Sequence, residues 1–227
     1  MYRRWRDDPC PERLQRNGGD AFLSRYRLDG IAWSCLRVCL GVRFEQAELD
    51  SVPKDFRIID GTFAVKQQDD NKVLELAGSP LETFGFLFGP AQQDGLGVSA
   101  RIHGTSRGRR FPHFAVSLGS VGGHRLQVSP AKLAIEILRG DTPQTSVPYQ
   151  WKSGTWTHLK FQIRKVDDKQ WKVEGKVWQD GQPEPDEWMI TLDESEAPIP
   201  GRPGAWGIPF SVTPIRFDDL KVTPAEE

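Results

Sequence analysis

The chain has 227 residues, enough for one β-rich domain with a sizeable core, and its 8 Trp and 12 Phe supply large apolar units although hydrophobic residues make up only 37%. With 30 Lys plus Arg against 31 Asp plus Glu the net charge is -1, which argues against a nucleic-acid binder that relies on a strongly basic footprint. No apolar run approaches the roughly 18 residues of a membrane-spanning helix, and 17 Pro with 22 Gly disfavour long helices.

Residues 1–43 read differently from the rest. The basic residues of the first thirty are all Arg (Arg3, Arg4, Arg6, Arg13, Arg16, Arg25, Arg27), interspersed with Asp7, Asp8, Glu12, Asp20 and Asp29, and apolar residues recur at no regular spacing. Such a stretch can bury little. The apolar run 31–42 resembles the hydrophobic part of a secretion signal, with Arg25 and Arg27 upstream. Arg37 interrupts it and no small-x-small cleavage site follows. The reading is an eroded leader and an exported protein; the alternative is a first strand or peripheral helix of the domain that follows. Cys10, Cys35 and Cys39 all lie here, so the domain at 44–227 does not rest on a disulfide framework, and their spacing does not suit zinc.

From Phe44 onward the pattern has period two. In 157–164, Leu159, Phe161 and Ile163 point one way and His158, Lys160, Gln162 and Arg164 the other; after a polar turn at 166–170, Trp171, Val173 and Val177 repeat the alternation. This is an antiparallel hairpin with one face buried and the other toward water. Further strands are predicted at 56–59, 62–66, 72–77, 83–88, 97–103, 113–118, 125–128, 133–139, 188–192, 205–209 and 215–222. Turn signals such as Asp60-Gly61, Asp69-Asp70-Asn71, Gly122-Gly123 and Asp180-Gly181 separate them. The expected fold is all-β, an antiparallel two-sheet sandwich.

Alternation also sorts the candidate site residues. Val98, Ala100 and Ile102 oppose Arg101 and His103; Phe114, Val116 and Leu118 oppose His113; Leu133, Ile135 and Ile137 oppose Glu136. On a concave outer face, Arg101, His103, His113 and Glu136 would line a groove. Trp178 follows inward Val177, so its ring lies outward beside Asp180 and Glu184, where an indole can stack on a sugar ring while carboxylates accept hydroxyl hydrogen bonds. The competing reading has Trp178 and Trp188 clamping the loop at Pro183-Glu184-Pro185. Trp151, next to Tyr149 in a Pro-bounded loop, is expected to be an exposed aromatic, and Trp156, at a strand entrance, a structural one. The loop Arg107-Gly108-Arg109-Arg110 suits acidic groups or is simply a charged hairpin tip.

The C-terminal third has a further texture: Gly154-Thr155-Trp156-Thr157, Val177-Trp178-Gln179-Asp180-Gly181, Gly201-Arg202-Pro203-Gly204, Gly207, and a closing Phe217-Asp218-Asp219-Leu220-Lys221-Val222. With Phe44-Glu45, Val52-Pro53, Phe56 and Asp60-Gly61, this order resembles the concanavalin A-like lectin/glucanase superfamily, and most of all its laminin-G-type and 3-keto-disaccharide hydrolase-type domains of exported bacterial proteins. The resemblance implies a jelly roll whose concave side or edge loops meet carbohydrate, either as an accessory binding module or as a glycoside hydrolase. A structural or protein-interaction module is the third reading. It also raises a structural calcium, for which Asp218 and Asp219 would be oxygen ligands but too few by themselves.

Enzyme signatures are sparse. The Glu-x-Asp-x-x-Glu motif of the glucanase branch is absent, as are Gly-x-Ser-x-Gly and the phosphate-loop motif. A carboxylate pair from distant strands, such as Glu75 with Glu136, would suit glycoside hydrolysis only at the separations that chemistry requires. His103, His113, His124 and His158 show no metal-ligand spacing, although His103 and His113 would meet if their strands were neighbours.

Overall fold

The computed structural model describes residues 39–78, 82–209 and 213–227. The leader-like run therefore lies outside the described residues up to residue 38. Fifteen strands run through the described chain: β1 (Leu40–Val42), β2 (Arg57–Asp60), β3 (Phe63–Gln68), β4 (Asn71–Leu76), β5 (Phe84–Leu87), β6 (Leu96–His103), β7 (His113–Leu118), β8 (His124–Ser129), β9 (Ala134–Arg139), β10 (Thr142–Pro148), β11 (Trp156–Asp167), β12 (Gln170–Gln179), β13 (Ile190–Glu194), β14 (Gly204–Ile208) and β15 (Ile215–Pro224). One 3-10 turn, Pro130–Lys132, joins β8 to β9.

The strands form two antiparallel sheets. An eight-stranded sheet has the order β13-β12-β11-β6-β15-β4-β3, with β1 pairing β15 off that path, and a seven-stranded sheet has the order β10-β9-β8-β7-β14-β5-β2. Apolar residues at alternate positions meet between them. Phe86 of the seven-stranded sheet packs edge-on against Phe217 at 5.4 Å and Phe63 at 5.2 Å, both of the other sheet, and stacks on Phe56 at 5.1 Å. Burying each such ring contributes about 1.5–3 kcal/mol, and all but Phe56 are at most 5% exposed.

The structure departs from the sequence reading in four places. Strand β1 lies inside the stretch assigned to residues 1–43, so the sandwich already includes Leu40. Strand β10 had no predicted counterpart; Pro143 and Pro148 mask it, and both are tolerated because β10 is an edge strand. Strands β11 and β12 run further into their shared turn than expected, to Asp167 and from Gln170. Leu133, expected inward, caps the 3-10 turn at φ 53 and is 60% exposed.

The outer face of the seven-stranded sheet is closed by one indole. Gly85 of β5 lies opposite Trp206 of β14, and a Cβ built on Gly85 would stand 2.2 Å from the Trp206 ring. The ring lies flat on backbone that carries no side chain, and its Nε1 donates to Ser117 Oγ at 2.7 Å. The Arg125 guanidinium covers its other side at 4.2 Å from the ring centroid. A rigid ring held on three sides cannot give way to a methyl group. Gly85→Ala is therefore expected to destabilise the fold by about 1–3 kcal/mol, as overpacking does. A denaturant midpoint unchanged from wild type would show that the ring has room to move.

Candidate functional site

The two sheets turn their outer faces in opposite directions, and this separates the residues that the sequence grouped. Arg101 and His103 lie on β6 of the eight-stranded sheet, whereas His113 on β7 and Glu136 on β9 belong to the seven-stranded sheet. They do not line one groove, and His103 and His113 do not meet. The same division separates Glu75, on β4, from Glu136, so these two carboxylates form no catalytic pair.

On the outer face of the eight-stranded sheet, register sets the neighbours. Arg101 of β6 stands between Asp218 of β15 and His158 of β11, and His103 between Arg216 and Trp156. Asp218, 2% exposed, receives hydrogen bonds on Oδ2 from Arg101 Nη2 and Asn71 Nδ2, each at 2.7 Å. A register shift between Asp218 and Lys221, with Asp219 at φ 48, also brings Asp219 within 3.5 Å of Arg101. Pinned in this way, the guanidinium lies 4.6 Å from the Trp156 ring centroid. The hairpin tip between β3 and β4 borders the same spot, so that Gln68, Asp69, Asp70, Asn71, Arg101 and Trp156 enclose an open hollow of about 290 Å³. That is close to the lower end for small-ligand sites.

The face continues along β11 and β12. Trp178 stacks on His158 at 5.1 Å with the rings 8° apart, and His158 Nε2 lies 3.0 Å from Asp180 Oδ1. Lys160 and Lys176 bind Glu184 at 2.9 and 3.0 Å, and both ammonium groups reach the Trp188 ring, at 5.8 and 4.7 Å. Burial works to raise the Glu184 carboxyl, but hydrogen bonds from the two lysines outweigh it and hold it below the usual range. The outer positions of the β11–β12 hairpin are less wet than expected: Gln162, Glu174 and Lys176 are each at most 5% exposed, satisfied by one another, by Arg164 and by Pro185 O.

Trp151 is not the exposed aromatic expected of it. It packs against the core, edge-on to Phe114 at 6.0 Å, with a buried Nε1 that finds no partner among the described residues. Sequence reasoning set Trp156 aside as structural and passed over Gln68 and Asn71. The signal available for this region was the polar turn Asp69-Asp70-Asn71; its partner Asp218 lies 147 positions away from Asn71.

The outer face of the seven-stranded sheet carries its own polar cluster. Glu136, 4% exposed, accepts from Ser129 Oγ and, at 2.8 Å, from Lys132 Nζ. Burial raises its carboxyl, yet those hydrogen bonds and the Lys132 charge bring it below the ordinary value. Gln127 donates to Ser129 and stands 3.5 Å from His113 Nδ1. Between His113, Arg125, Gln127 and Trp206 the free space is only about 10 Å³, room for a single water. Among the described residues no group of three or more His, Cys, Asp or Glu converges as a metal site, and Asp218 Oδ2 is already taken by Asn71 and Arg101.

No protein-family model matches the chain, and no curated protein matches it by sequence. Solved structures do match. A carbohydrate-binding module, CBM66 of Bacillus subtilis, superposes with a TM-score of 0.52 at 13% identity, over 74% of this chain and 95% of the other. A PL-14 alginate lyase from Aplysia kurodai gives 0.54 at 10% identity over 78% and 98%. The catalytic domain of a glycoside hydrolase family 131 protein from Coprinopsis cinerea gives 0.51 at 11% identity over 82% and 93%.

Two imidazoles report on these faces. His103 is held below its ordinary value by burial first and by the Arg216 charge second, and His113 chiefly by burial. Both therefore take up a proton at lower pH in the folded protein than free imidazole, with a pKa of about 6.5, does. As pH falls through that value the unfolded chain binds protons first, so stability conferred by the neutral rings is lost toward the lower folded values. Urea midpoints should drop between about pH 7 and 5, and more shallowly in the His103→Gln/His113→Gln double variant. Equal slopes would refute this assignment. In architecture the chain is an all-β, antiparallel two-sheet sandwich of jelly-roll type, as expected from its sequence, and it shares this fold with the carbohydrate-binding module, the alginate lyase and the glycoside hydrolase domain.

Proposed function

We propose that this protein is a carbohydrate-binding β-sandwich and that the glycan lies on the outer face of the eight-stranded sheet, from the hollow at Trp156 along β11 toward Trp188. The single observation that carries the reading is the hollow itself: an indole, a fixed guanidinium, two amides and two carboxylates around one open space. Sugars offer an apolar C–H face and a rim of hydroxyls, and this set supplies a partner for each. Successive outward residues of a strand stand about 6.6 Å apart, so Trp156, His158 and Lys160 form a line on which a short oligosaccharide can rest. Of the sequence candidates, Arg101, His103, Trp178 and Glu184 share this face; His113 and Glu136 lie on the opposite side and serve that sheet.

Binding is favoured over hydrolysis by the pairing of Glu184, Glu174 and Glu136 with cationic side chains. A glycosidase needs a carboxylic acid that keeps its proton until the leaving group takes it. Glu184 and Glu174 on this face, and Glu136 on the other, are all held below the ordinary range by cationic neighbours. Export, suggested by the leader-like run, belongs to the same proposal; no helix among the described residues is long and apolar enough to cross a membrane.

Trp156→Ala should weaken binding of a recognised oligosaccharide about tenfold, the loss of roughly 1.4 kcal/mol of stacking and burial, while Trp156→Phe retains most of it. Calorimetric titration across a glycan array reads the change. A glycan that binds wild type and Trp156→Ala equally would move the site elsewhere, and no response to any glycan would end the proposal.

A further inference from the structure

The far end of the proposed glycan face is covered by the residues that follow β15. Ala225 N donates to Gly95 O at 2.9 Å, and Glu226 then makes a reciprocal pair with a side-chain amide: its N–H donates to Gln162 Oε1 at 2.7 Å, and its carbonyl accepts from Gln162 Nε2 at 3.2 Å. The Glu226 carboxylate pairs with Lys160 Nζ. Gln162 is 1% exposed, so Glu226 covers one buried amide and one partly buried ammonium group, that of Lys160, which shares Glu184 with Lys176.

Resting on the glycan-binding reading, we propose that Glu226 is a built-in occupant of a subsite for an acidic, N-acylated glycan, and that such a ligand displaces it. Each contact of Glu226 specifies one requirement. With the Glu226 carboxylate gone, Lys160 and Lys176 share Glu184 alone, one negative charge for two cations. A neutral sugar cannot replace that partner; a uronate carboxylate can. Gln162 presents a donor beside an acceptor, and an acetamido N–H with the neighbouring hydroxyl oxygen supplies the complement, as the Glu226 N–H and carbonyl do now. Trp188, touched by both ammonium groups, keeps the cations in place when the occupant changes. Because the segment is tethered, it competes at high effective concentration, and its removal raises the affinity of every glycan that enters the subsite by one common factor, the selectivity for the matching ligand lying in the contacts of the vacated subsite.

The test uses calorimetric titration of wild type, a chain ending at Pro224, and Glu226→Ala, against three probes: a hyaluronan hexasaccharide (carboxylate and acetamido), oligogalacturonate (carboxylate only) and chitohexaose (acetamido only). Ending the chain at Pro224 should raise hyaluronan affinity about tenfold, and the shortened chain should bind hyaluronan more tightly than either half-matching probe. Glu226→Ala, which keeps the backbone pair on Gln162, should give part of the gain even if the shortened chain folds poorly, and adding Lys160→Met should abolish it. Glycan binding that is unchanged in both tail variants, or a shortened chain that binds hyaluronan no more tightly than the half-matching probes, overturns the inference and leaves the glycan-binding reading intact. No binding of any glycan by any variant overturns both.

Discussion

Every feature of this molecule depends on parity within strands. A residue of β6 or β11 either enters the apolar layer between the sheets or stands on the outer face, and a shift of one position would exchange the two sets completely. The layer allows no such exchange. Phe217 must reach Phe86 and Phe63, and Phe161, Leu159 and Val98 on neighbouring strands are each at most 1% exposed. Fixing the inward set fixes Arg101, His103, His158 and Lys160 outward without further instruction. The polar face is in this sense a by-product of the core, and its precision is inherited from close packing rather than from its own ion pairs.

That dependence explains how a face so rich in charge can be ordered. Exposed ion pairs contribute only about 0–1 kcal/mol each, too little to position a side chain against solvent. Here the polar groups are stacked on rigid surfaces instead: Arg101 on Trp156, His158 on Trp178, Lys176 on Trp188. Each indole removes rotamer freedom from the side chain above it, and each carboxylate only selects among what remains. The irregularity in β15 adds to this. Regular alternation would send Asp218 and Asp219 to opposite faces, whereas the break after Asp218 lets both approach Arg101.

Alternation was therefore legible in the sequence and sheet membership was not. Nothing in 97–103 and 113–118 distinguishes the sheet to which each belongs; the chain crosses from one sheet to the other between β6 and β7, so two strands adjacent in sequence present their polar residues on opposite sides. Outward placement of Trp178 followed from inward Val177, because a local period suffices. The hollow did not follow, because Asn71 and Gln68 gain their meaning from Asp218 and Arg101, which meet them only after β6, β15, β4 and β3 have been laid side by side. Trp206 shows a third case. Its place is prepared by the absence of a side chain at Gly85, and a glycine within a strand does not announce which ring will cover it.

The two outer faces have opposite characters for a common reason. On the seven-stranded sheet glycines at 85 and 204 let a large ring and its neighbours settle onto the backbone, so Trp206, Ser117 and Arg125 shield one another, and a space of only about 10 Å³ remains. On the eight-stranded sheet the outward positions carry long charged or aromatic side chains that hold one another upright, and the tip of β3–β4 borders them without filling the space beside Trp156. Side chains that stand up leave gaps between them, and those that lie down do not. The space beside Trp156 borders polar groups and the one beside Trp206 holds no more than a water, which is why the proposed site falls on the eight-stranded sheet.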